Sequence, residues 1–495
     1  MIGLIQKTTD PEGNITEYDY YKSGNGKGLV SEKWVYGNGI SKPEHGTRYE
    51  YNAQLHVSKE TSSEGYVKEY EYDKFNNVTV TRDYGTGSDA AVTIAEYDKL
   101  SRKIAEYAPN YSVDKSHGTL TSYYPDDNKK TDTDAEGNVT FYKYDAYGNV
   151  IEKTNPDGTI NVTEYDGLQR EKATYFKSGA DAVKQILTST EYEFVKNHGF
   201  DVYTALDSCS SKSCSGLKTI KTTYITVEKQ VVTETLADFR GNPVEEKTNG
   251  ETKRTSAYYA NGQLARQTDA LNNTTKYEYN KLNKLTKTYT PFDTENGTVR
   301  YSVTESQYDK NGNVIKTIQT VDTNKNSVTQ NQYNAMGLLE KVTLSDGTVT
   351  GEKNISKYFY NNAGIQVKMY TGMSCENDTS YLTTNYEYDS WLRPVRTTDS
   401  TGYNSGTITY DLNGNVLTST DANGNVTTNT YDALNRVLTS NTVNSSDSSK
   451  NVSKSYTYDN MGRITQTVSN GLTKTCIYDS LGRIYTESEY DNNGY

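Results

Sequence analysis

A Tyr-Asp pair recurs along this chain at nearly regular intervals, and it constrains the fold more than any other feature. In the stretch with the clearest copies, the pair begins at Tyr388, Tyr410, Tyr431, Tyr458 and Tyr478, at intervals of 22, 21, 27 and 20 residues. The chain of 495 residues holds twelve such pairs. Self-similarity with a period of about 20 to 50 residues is typical of repeat architectures. The sequence therefore predicts a chain that grows by adding similar units.

One unit consists of two turns and two short strands. Asp411 begins the first turn, where its carboxylate can accept hydrogen bonds from backbone N–H groups, and Gly414 occupies a position that needs a left-handed residue. Residues 416–420 are rich in β-branched side chains and predict a strand. A second turn at residues 421–425 and a second strand at residues 426–431 lead to the next Tyr-Asp pair. The unit is therefore a β-hairpin joined to the next hairpin.

The pattern Tyr-Asp-x-x-Gly followed by Asn or Arg resembles the YD repeat of the RHS family. We predict a structural role in the repeat for the residues that carry the pattern in its best copies, with no catalytic residue, metal ligand or cofactor. These residues are Tyr144, Asp145, Gly148, Tyr308, Asp309, Gly312, Tyr410, Asp411, Gly414, Tyr431, Asp432, Tyr458, Asp459, Gly462, Tyr478, Asp479 and Gly482.

The resemblance implies both a fold and a function. In the RHS family, long β-sheets wind into a spiral shell, which encloses a toxin domain in bacterial RHS toxins and in the C component of Tc toxins, and which serves adhesion in teneurins. The chain is therefore expected to be all-β, with repeated hairpins forming a spiralling, curved sheet. Its implied function is that of a structural shell segment in an exported protein, encapsulating or presenting a toxin domain outside this chain. The alternative is a cell-surface repeat that binds carbohydrate or a partner cell.

The resemblance also implies partners and a location. The implied partners are the remaining parts of a longer RHS-type polypeptide or its toxin cargo, with carbohydrate as the ligand in the adhesion alternative. The implied location is secreted or cell-surface. Both ends of the sequence run directly into repeat units, so we interpret the chain as a piece of a longer polypeptide.

Composition supports a thin fold. Hydrophobic residues make up only 33% of the chain, and the 46 tyrosines are a large share of them. A tyrosine ring can pack while its hydroxyl remains hydrogen-bonded or wet, so we expect thin, Tyr-rich surfaces rather than one thick core. Low hydropathy also suggests disorder, but only eight prolines are present and the tyrosines recur in register with β-branched strands.

Charge and hydropathy exclude several classes of protein. The net charge is −12, which argues against a nucleic-acid partner. No apolar run approaches the length of about 18 residues that a transmembrane helix needs. The first residues lack the plan of a signal peptide, in which a charged segment precedes an apolar one.

The whole chain, residues 1–495, is interpreted as one YD-repeat shell segment in three parts. Residues 1–166 carry repeats, residues 167–238 are a degenerate or inserted section without a Tyr-Asp pair, and residues 239–495 carry repeats again. Within the middle section, residues 181–187 are expected to form one or two helical turns, and residues 208–216 a polar surface loop. Cys209 and Cys214 lie in that loop and either pair or remain free thiols, since spacing does not decide pairing.

Turn chemistry leads to two further expectations. The residue two positions after the aspartate is often apolar, and we expect such tips to pack on the neighbouring unit: Phe75, Leu100, Tyr147, Leu434, Met461 and Leu481. The glycine slot of the turn is expected to be left-handed, with Asn76, Asn283 and Asn435 as substitutes, because Asn tolerates that conformation best among non-Gly residues. The sequence pattern predicts the tight turn less strongly where Ser101 and Gln169 occupy the glycine slot.

No arrangement of residues predicts an enzyme. Asp421, Asn423 and Asn425 match the first three ligand positions of a calcium loop, but position six is a valine where the loop needs glycine. Capping of the turn explains the same residues, and we favour it. The many carboxylates could include a glycosidase pair, but each is already accounted for as a turn residue. The four histidines, His45, His56, His117 and His198, share no spacing typical of a zinc site or a catalytic triad.

Overall fold

The fold of this protein was obtained as a computed structural model. It describes residues 4–24, 26–37, 39–206, 208–226, 229–295, 297–322, 325–345, 353–361 and 363–491. Across these residues the secondary structure consists of β-strands and two short 3-10 helices, Pro109–Tyr111 and Ser448–Lys450, so the all-β prediction is confirmed. The described residues include no helix that is long and apolar enough to cross a membrane.

The strands are numbered in chain order. They are β1 Lys7–Thr9, β2 Ile15–Tyr20, β3 Val30–Tyr36, β4 Thr47–Tyr51, β5 Val57–Thr61, β6 Val67–Tyr72, β7 Val78–Gly85, β8 Ala91–Tyr97, β9 Lys103–Tyr107, β10 Gly118–Tyr123, β11 Lys129–Thr133, β12 Val139–Tyr144, β13 Val150–Thr154, β14 Ile160–Tyr165, β15 Glu171–Lys177, β16 Gln185–Ala205, β17 Ser208–Tyr224, β18 Gln230–Ala237, β19 Pro243–Thr248, β20 Glu251–Tyr259, β21 Leu264–Asp269, β22 Thr274–Tyr279, β23 Leu285–Glu295, β24 Thr298–Tyr308, β25 Val314–Asp322, β26 Lys325–Tyr333, β27 Leu339–Ser345, β28 Lys353–Tyr360, β29 Gln366–Met373, β30 Leu382–Tyr388, β31 Pro394–Asp399, β32 Ile408–Tyr410, β33 Val416–Thr420, β34 Val426–Tyr431, β35 Val437–Val443, β36 Val452–Tyr458, β37 Ile464–Ser469, β38 Leu472–Tyr478 and β39 Ile484–Tyr490.

Within each of two sheets, every strand pairs with the next in the chain, and these pairings are antiparallel. β1 to β31 form one sheet and β32 to β39 a second. A bridge between Thr398 and Asn404, together with a hydrogen bond from Ser405 N to Thr397 O (2.9 Å), links β31 to the segment that leads into the second sheet. Sequential antiparallel pairing follows from the short turns, because a tight turn can join only antiparallel neighbours. The chain is therefore a long ribbon of hairpins.

Turns alternate between the two edges of this ribbon. The Tyr-Asp turns follow even-numbered strands, as at Asp73 after β6 and Asp145 after β12, and we call the edge that they form the Tyr-Asp edge. The turns after odd-numbered strands, such as those that begin at Asp10 and Asp134, form the opposite edge. An exception is the first Tyr-Asp pair, Tyr18-Asp19, whose aspartate lies inside β2, paired with Glu32, rather than in a turn.

The ribbon winds into a spiral whose successive coils touch edge to edge. The turn after β24 contacts the turn after β1, the turn after β30 contacts the turn after β7, and the turn after β34 contacts the turn after β11. In each case the separation is 23 strands. Because successive turns alternate between the two edges, an odd separation places the Tyr-Asp edge of one coil against the opposite edge of the preceding coil. The curved, spiralling sheet that the resemblance implies is confirmed.

Little apolar surface is fully buried anywhere in the described fold. The buried hydrophobic residues are Trp34, Ala105, Tyr107, Ile160, Ala173, Phe176, Tyr203, Leu236, Ala265, Val328, Ile355, Met373 and Ala433, and no large side chain among them is below 2% exposure. This is the thin construction expected from the composition, with backbone ladders and half-buried side chains holding adjacent strands together.

Three expectations for local structure are wrong. Residues 181–187 form no helix, because a short turn there leads directly into β16. Residues 208–216 belong to β17 rather than to a loop, because β16 and β17 pair through 21- and 17-residue strands into one long hairpin. The side chains of Cys209, Cys214 and His198 lie outside the part of the chain that the structure describes.

The third error concerns the apolar turn tips. Phe75, Leu100 and Tyr147 are 48%, 65% and 77% exposed, and Met461 and Leu481 are also exposed, whereas Leu434 is half-buried. A tip that points away from its own ribbon is covered only by another coil, so its burial depends on where the turn lies in the spiral.

Candidate functional site

Each Tyr-Asp turn is closed by the carboxylate of its aspartate. Oδ1 of Asp145 accepts hydrogen bonds from the backbone N–H of Tyr147 (2.8 Å) and Asn149 (3.0 Å), and Oδ2 accepts one from Nδ2 of Asn149 (2.9 Å). The backbone adds bonds from Asp145 N to Asn149 O and from Gly148 N to Asp145 O. The bond from the Asn149 side chain, aided by the backbone N–H groups, lowers the pKa of Asp145.

Where arginine follows the glycine slot, the same carboxylate forms an ion pair. Asp432 holds Nε of Arg436 at 2.6 Å, and the pairs Asp459–Arg463 and Asp479–Arg483 have the same contact at 2.7 Å. Asp309 and Asp411 instead hold Nδ2 of an asparagine at 2.9 Å. Both versions of the motif therefore supply an N–H donor to the second carboxylate oxygen, as an ion pair with arginine and as a neutral hydrogen bond with asparagine.

The glycine slot is left-handed, as predicted. Gly148, Gly312, Gly414, Gly462 and Gly482 have φ values of 87°, 88°, 91°, 81° and 81°. The substitutes Asn76, Asn283 and Asn435 have φ values of 69°, 62° and 61°. Ser101 and Gln169 both have a φ of 62°, so the tight turn persists even where the sequence loses both glycine and asparagine.

In most Tyr-Asp pairs the tyrosine links its unit to the unit before it. The hydroxyl donates to the carbonyl of the residue that begins the strand after the preceding Tyr-Asp turn. The bonds are Tyr308 to Leu285 (2.6 Å), Tyr410 to Pro394 (2.5 Å), Tyr431 to Val416 (2.8 Å), Tyr458 to Val437 (2.9 Å) and Tyr478 to Ile464 (2.8 Å). Tyr144 instead packs edge to face against Tyr124, with ring centroids 6.3 Å apart. Sequence reasoning missed these carbonyl partners, because nothing in the side-chain pattern marks a backbone acceptor.

Arginines extend this linkage from unit to unit. The guanidinium of Arg436 lies 4.4 Å from the ring centroid of Tyr458, and that of Arg463 lies 4.8 Å from the ring centroid of Tyr478. Both distances fall within cation–π range. A run of contacts therefore passes from the aspartate of one unit, through its arginine, to the tyrosine of the next.

A seam of hydrogen bonds joins the coils, and it is the largest feature that the sequence did not predict. At most contacts the Tyr-Asp edge donates and the opposite edge accepts: Lys310 N to Glu12 (2.7 Å), Asn311 to Asp10 (2.8 Å), Trp391 Nε1 to Asp83 O (2.9 Å), Ala433 N to Glu136 (2.7 Å) and Asn460 to Pro156 O (2.8 Å). Thr86 and Asn110 donate in the other direction. Arg463 also lies 3.7 Å from Asp157.

The remaining side chains considered from the sequence lie in structural surroundings. Oδ1 of Asp421 accepts from the N–H groups of Asn423 and Asn425, so the atoms of the supposed calcium loop cap a turn. His56 stacks on Tyr72, and Nδ1 of His117 lies 2.9 Å from Ala135 O. Among the described residues, no group of three or more His, Cys, Asp or Glu side chains could hold a metal ion.

Comparisons with known proteins give one family and a set of solved structures. The model of the RHS repeat matches residues 119–160, 258–302 and 410–449. No curated protein sequence matches the chain. Solved structures similar to this chain include the TcdB2-TccC3-Cdc42 complex, at 11% identity and a TM-score of 0.42, and a Photorhabdus luminescens Tc holotoxin pore with a TccC3 mutation, at 12% identity and a TM-score of 0.42. Each alignment covers 97% of this chain and 29% of the other.

Proposed function

We propose that this chain, which is built from repeats of the RHS family, forms part of the wall of a hollow shell in a longer exported polypeptide. The observation that carries the proposal is the sealed seam: a ribbon one sheet thick returns on itself every 23 strands and bonds its two edges together. Such a construction encloses space rather than filling it. The chain spans about a third of the length of the similar solved structures.

We further propose that the enclosed space holds or presents a toxin domain outside this chain, and that the wall itself is non-catalytic. In the best copies of the motif the carboxylate is engaged in closing a turn, as those of Asp145 and Asp432 are. A carboxylate fixed by two backbone N–H groups and a side chain has little freedom to act as an acid or base. The remaining parts of the longer polypeptide are then the partners of this wall.

Limited proteolysis of the natural polypeptide that contains this segment tests the proposal. We expect a region outside the repeats to resist protease while the seam is intact and to become cleavable when Trp391→Ala and Glu136→Ala open it. Tyr147→Ala, on an exposed tip away from the seam, is the matched control. Equal cleavage with the seam intact or opened would contradict encapsulation. Specific binding of the intact protein to a defined glycan would favour the adhesion alternative instead.

A further inference from the structure

Two tyrosine rings lie nearly stacked where the loop at residues 374–381 meets β29. Tyr370 of β29 and Tyr381, directly before β30, have ring centroids 4.3 Å apart and ring planes inclined by 35°. Tyr370 pairs with Thr383 in the ladder, and Tyr381 stands two positions before Thr383. Residues two apart in an extended chain share a face of the sheet. The register of β29 and β30 therefore brings the two rings together.

The 374–381 loop is itself tied to the sheet. Glu376 forms ion pairs with Lys341 and with Lys357, the second at 3.0 Å. The carboxylate of Asp378 accepts hydrogen bonds from backbone N–H groups near both ends of the loop, at 2.7 and 2.8 Å. These contacts restrict the loop and keep the ring of Tyr381 in its place on the sheet.

The Tyr370–Tyr381 pair differs from the other tyrosine pairs in the part of the chain that the structure describes. Those pairs have centroids between 6.0 and 6.5 Å apart. Tyr21 and Tyr51, for example, meet edge to face at 83°, and both of their hydroxyls donate to backbone carbonyls. The hydroxyl of Tyr381 instead hydrogen-bonds to Tyr370. Burial and this neighbour raise the pKa of Tyr381, so both phenols are neutral near pH 7.

We propose that Tyr370 and Tyr381 are a site of oxidative cross-linking, at which a one-electron oxidant of the peroxidase class joins the two rings as dityrosine. Each phenol gives up one electron and its hydroxyl proton and becomes a phenoxyl radical. The two radicals form one carbon–carbon bond between ring carbons ortho to the oxygens, and the hydrogens on those carbons move to the oxygens. The pair loses two hydrogen atoms in all, and hydrogen peroxide, the terminal oxidant, is reduced to two water molecules.

Proximity favours this pair over the others, because groups already held together react as if they were at a very high concentration. The new bond would close the chain from Tyr370 to Tyr381 and stabilise the loop by restricting the unfolded chain, as a disulfide does. Exported proteins meet oxidising surroundings that the cytosol lacks. The biological use of the site therefore rests on the exported location proposed above, whereas the reactivity of the pair does not.

Treatment of the full chain with peroxidase and hydrogen peroxide at low protein concentration tests the proposal. A Cys375→Ser background removes the exposed thiol of the same loop, which would compete for the oxidant. Trypsin releases residues 369–393 as one fragment with both rings, and cleavage after Glu376 separates the two tyrosines. We expect the fragment to lose two hydrogen atoms, to show dityrosine fluorescence and to remain joined after the second cleavage.

Tyr381→Phe and Tyr370→Phe each keep a ring in the contact, and each should lose the link. Circular dichroism shows that the variants fold. Tyr21 and Tyr51 are the internal control, because they lie in the separate tryptic fragments 8–22 and 49–59, which should stay unlinked.

The proposal is overturned if the two halves of the fragment separate under conditions in which other tyrosines couple. Halves that remain joined in Tyr381→Phe would assign the link to Tyr386 or Tyr388 of the same fragment and would also overturn it. So would a link between Tyr21 and Tyr51 in equal yield, since ring proximity would then not direct the reaction. These outcomes leave the shell proposal unaffected, because that proposal rests on the seam between coils.

Discussion

At the scale of single residues, the repeat depends on two groups that act on the same turn: a side-chain oxygen, supplied by aspartate in most copies and by asparagine in the others, and a left-handed residue. The carboxylate satisfies N–H groups that the tight turn leaves without backbone partners, and the glycine relieves the strain of the required dihedral angles. Ser101, Gln169 and Leu392, each with a φ of 62°, show that the ladders on either side can impose the conformation on less suitable residues. Such positions are expected to be the weakest turns.

Gly414→Val should destabilise its turn by about 1 to 3 kcal/mol, because a β-branched residue is strained at the φ of 91° found there. Hydrogen exchange should rise across residues 388–458 and also at Pro109–Tyr111, since Asn110 bonds to Asp411 and Asn413 across the seam. Gly167→Val is the control, because Gly167 lacks a positive φ and has open space where a Cβ would stand. A rise in exchange along the whole chain would show one cooperative globule.

Acid should loosen the aspartate turns. The hydrogen bonds from Asn149 lower the pKa of Asp145 below its ordinary value of 3.8, and the backbone and side chain of Arg483 lower that of Asp479. A depressed carboxyl pKa contributes stability that is present above the unfolded-state pKa and is lost as pH falls through the folded-state pKa. Stability should therefore decline below about pH 4.

Hydrogen exchange measured from about pH 6 down to about pH 3 and corrected for the intrinsic rate checks this expectation. The turn at residues 145–149 should lose protection on acidification. The turn at residues 52–56 is an internal control, because Asn52 makes the same backbone bonds without a titrating group. Asp145→Asn should abolish the difference between the two turns. Equal acid sensitivity of both turns in the unmodified protein would refute the carboxylate explanation.

At the scale of the hairpin, the tyrosines make neighbouring units depend on one another. A hydroxyl that reaches the strand after the preceding turn locks the two hairpins in register, and the arginine stacked on the same ring adds a second link. This explains why tyrosine is used so heavily: one side chain supplies both an apolar ring and a donor at the rim of a thin sheet.

Tyr458→Phe removes the 2.9 Å hydrogen bond to Val437 O and keeps the ring. We expect it to lower the local free energy of unfolding by about 0.5 to 1.5 kcal/mol, which is the usual net contribution of one hydrogen bond. Tyr458→Leu should cost more, since the stacking of Arg436 is lost as well. Local hydrogen exchange across residues 431–458 measures both effects. Tyr147→Phe, on an exposed tip, is the control and should leave hydrogen exchange unchanged. Identical results for the two Tyr458 variants would assign the contribution to the hydroxyl alone.

At the scale of the whole molecule, the seam joins successive coils of the ribbon into one continuous curved surface. Edge strands and turns of an open sheet are exposed to unwanted pairing, and the spiral covers part of that length by placing one edge on another. The contacts are few and polar, so the wall should open locally without unfolding of the hairpins on either side.

Trp391→Ala should loosen the spiral while leaving the hairpins intact, because Trp391 is half-buried in the seam and its Nε1 donates to Asp83 O. Protection at residues 83–87 should fall about tenfold, which corresponds to about 1.4 kcal/mol, and small-angle scattering should show a larger radius of gyration. Trp391→Phe keeps the ring contact and should have a smaller effect. Unchanged dimensions in Trp391→Ala would show that this contact does not hold the coils together.

The sequence by itself determined the turns, the strands and the hairpin unit, because each depends on residues within about five positions of one another, as Asp145, Gly148 and Asn149 are. It did not reveal that β16 and β17 extend into one long hairpin, because their polar, Gly- and Ser-containing tip lacks a strand pattern. Nor did it show which apolar tips are covered. The tertiary structure alone decided the separation of 23 strands, and with it the seam, the half-buried Leu434 and the exposed Leu100. The reason is that small twists between adjacent strands accumulate over many strands before two edges meet, so contacts nearly 300 residues apart are set by the curvature of the whole sheet and by no local pattern.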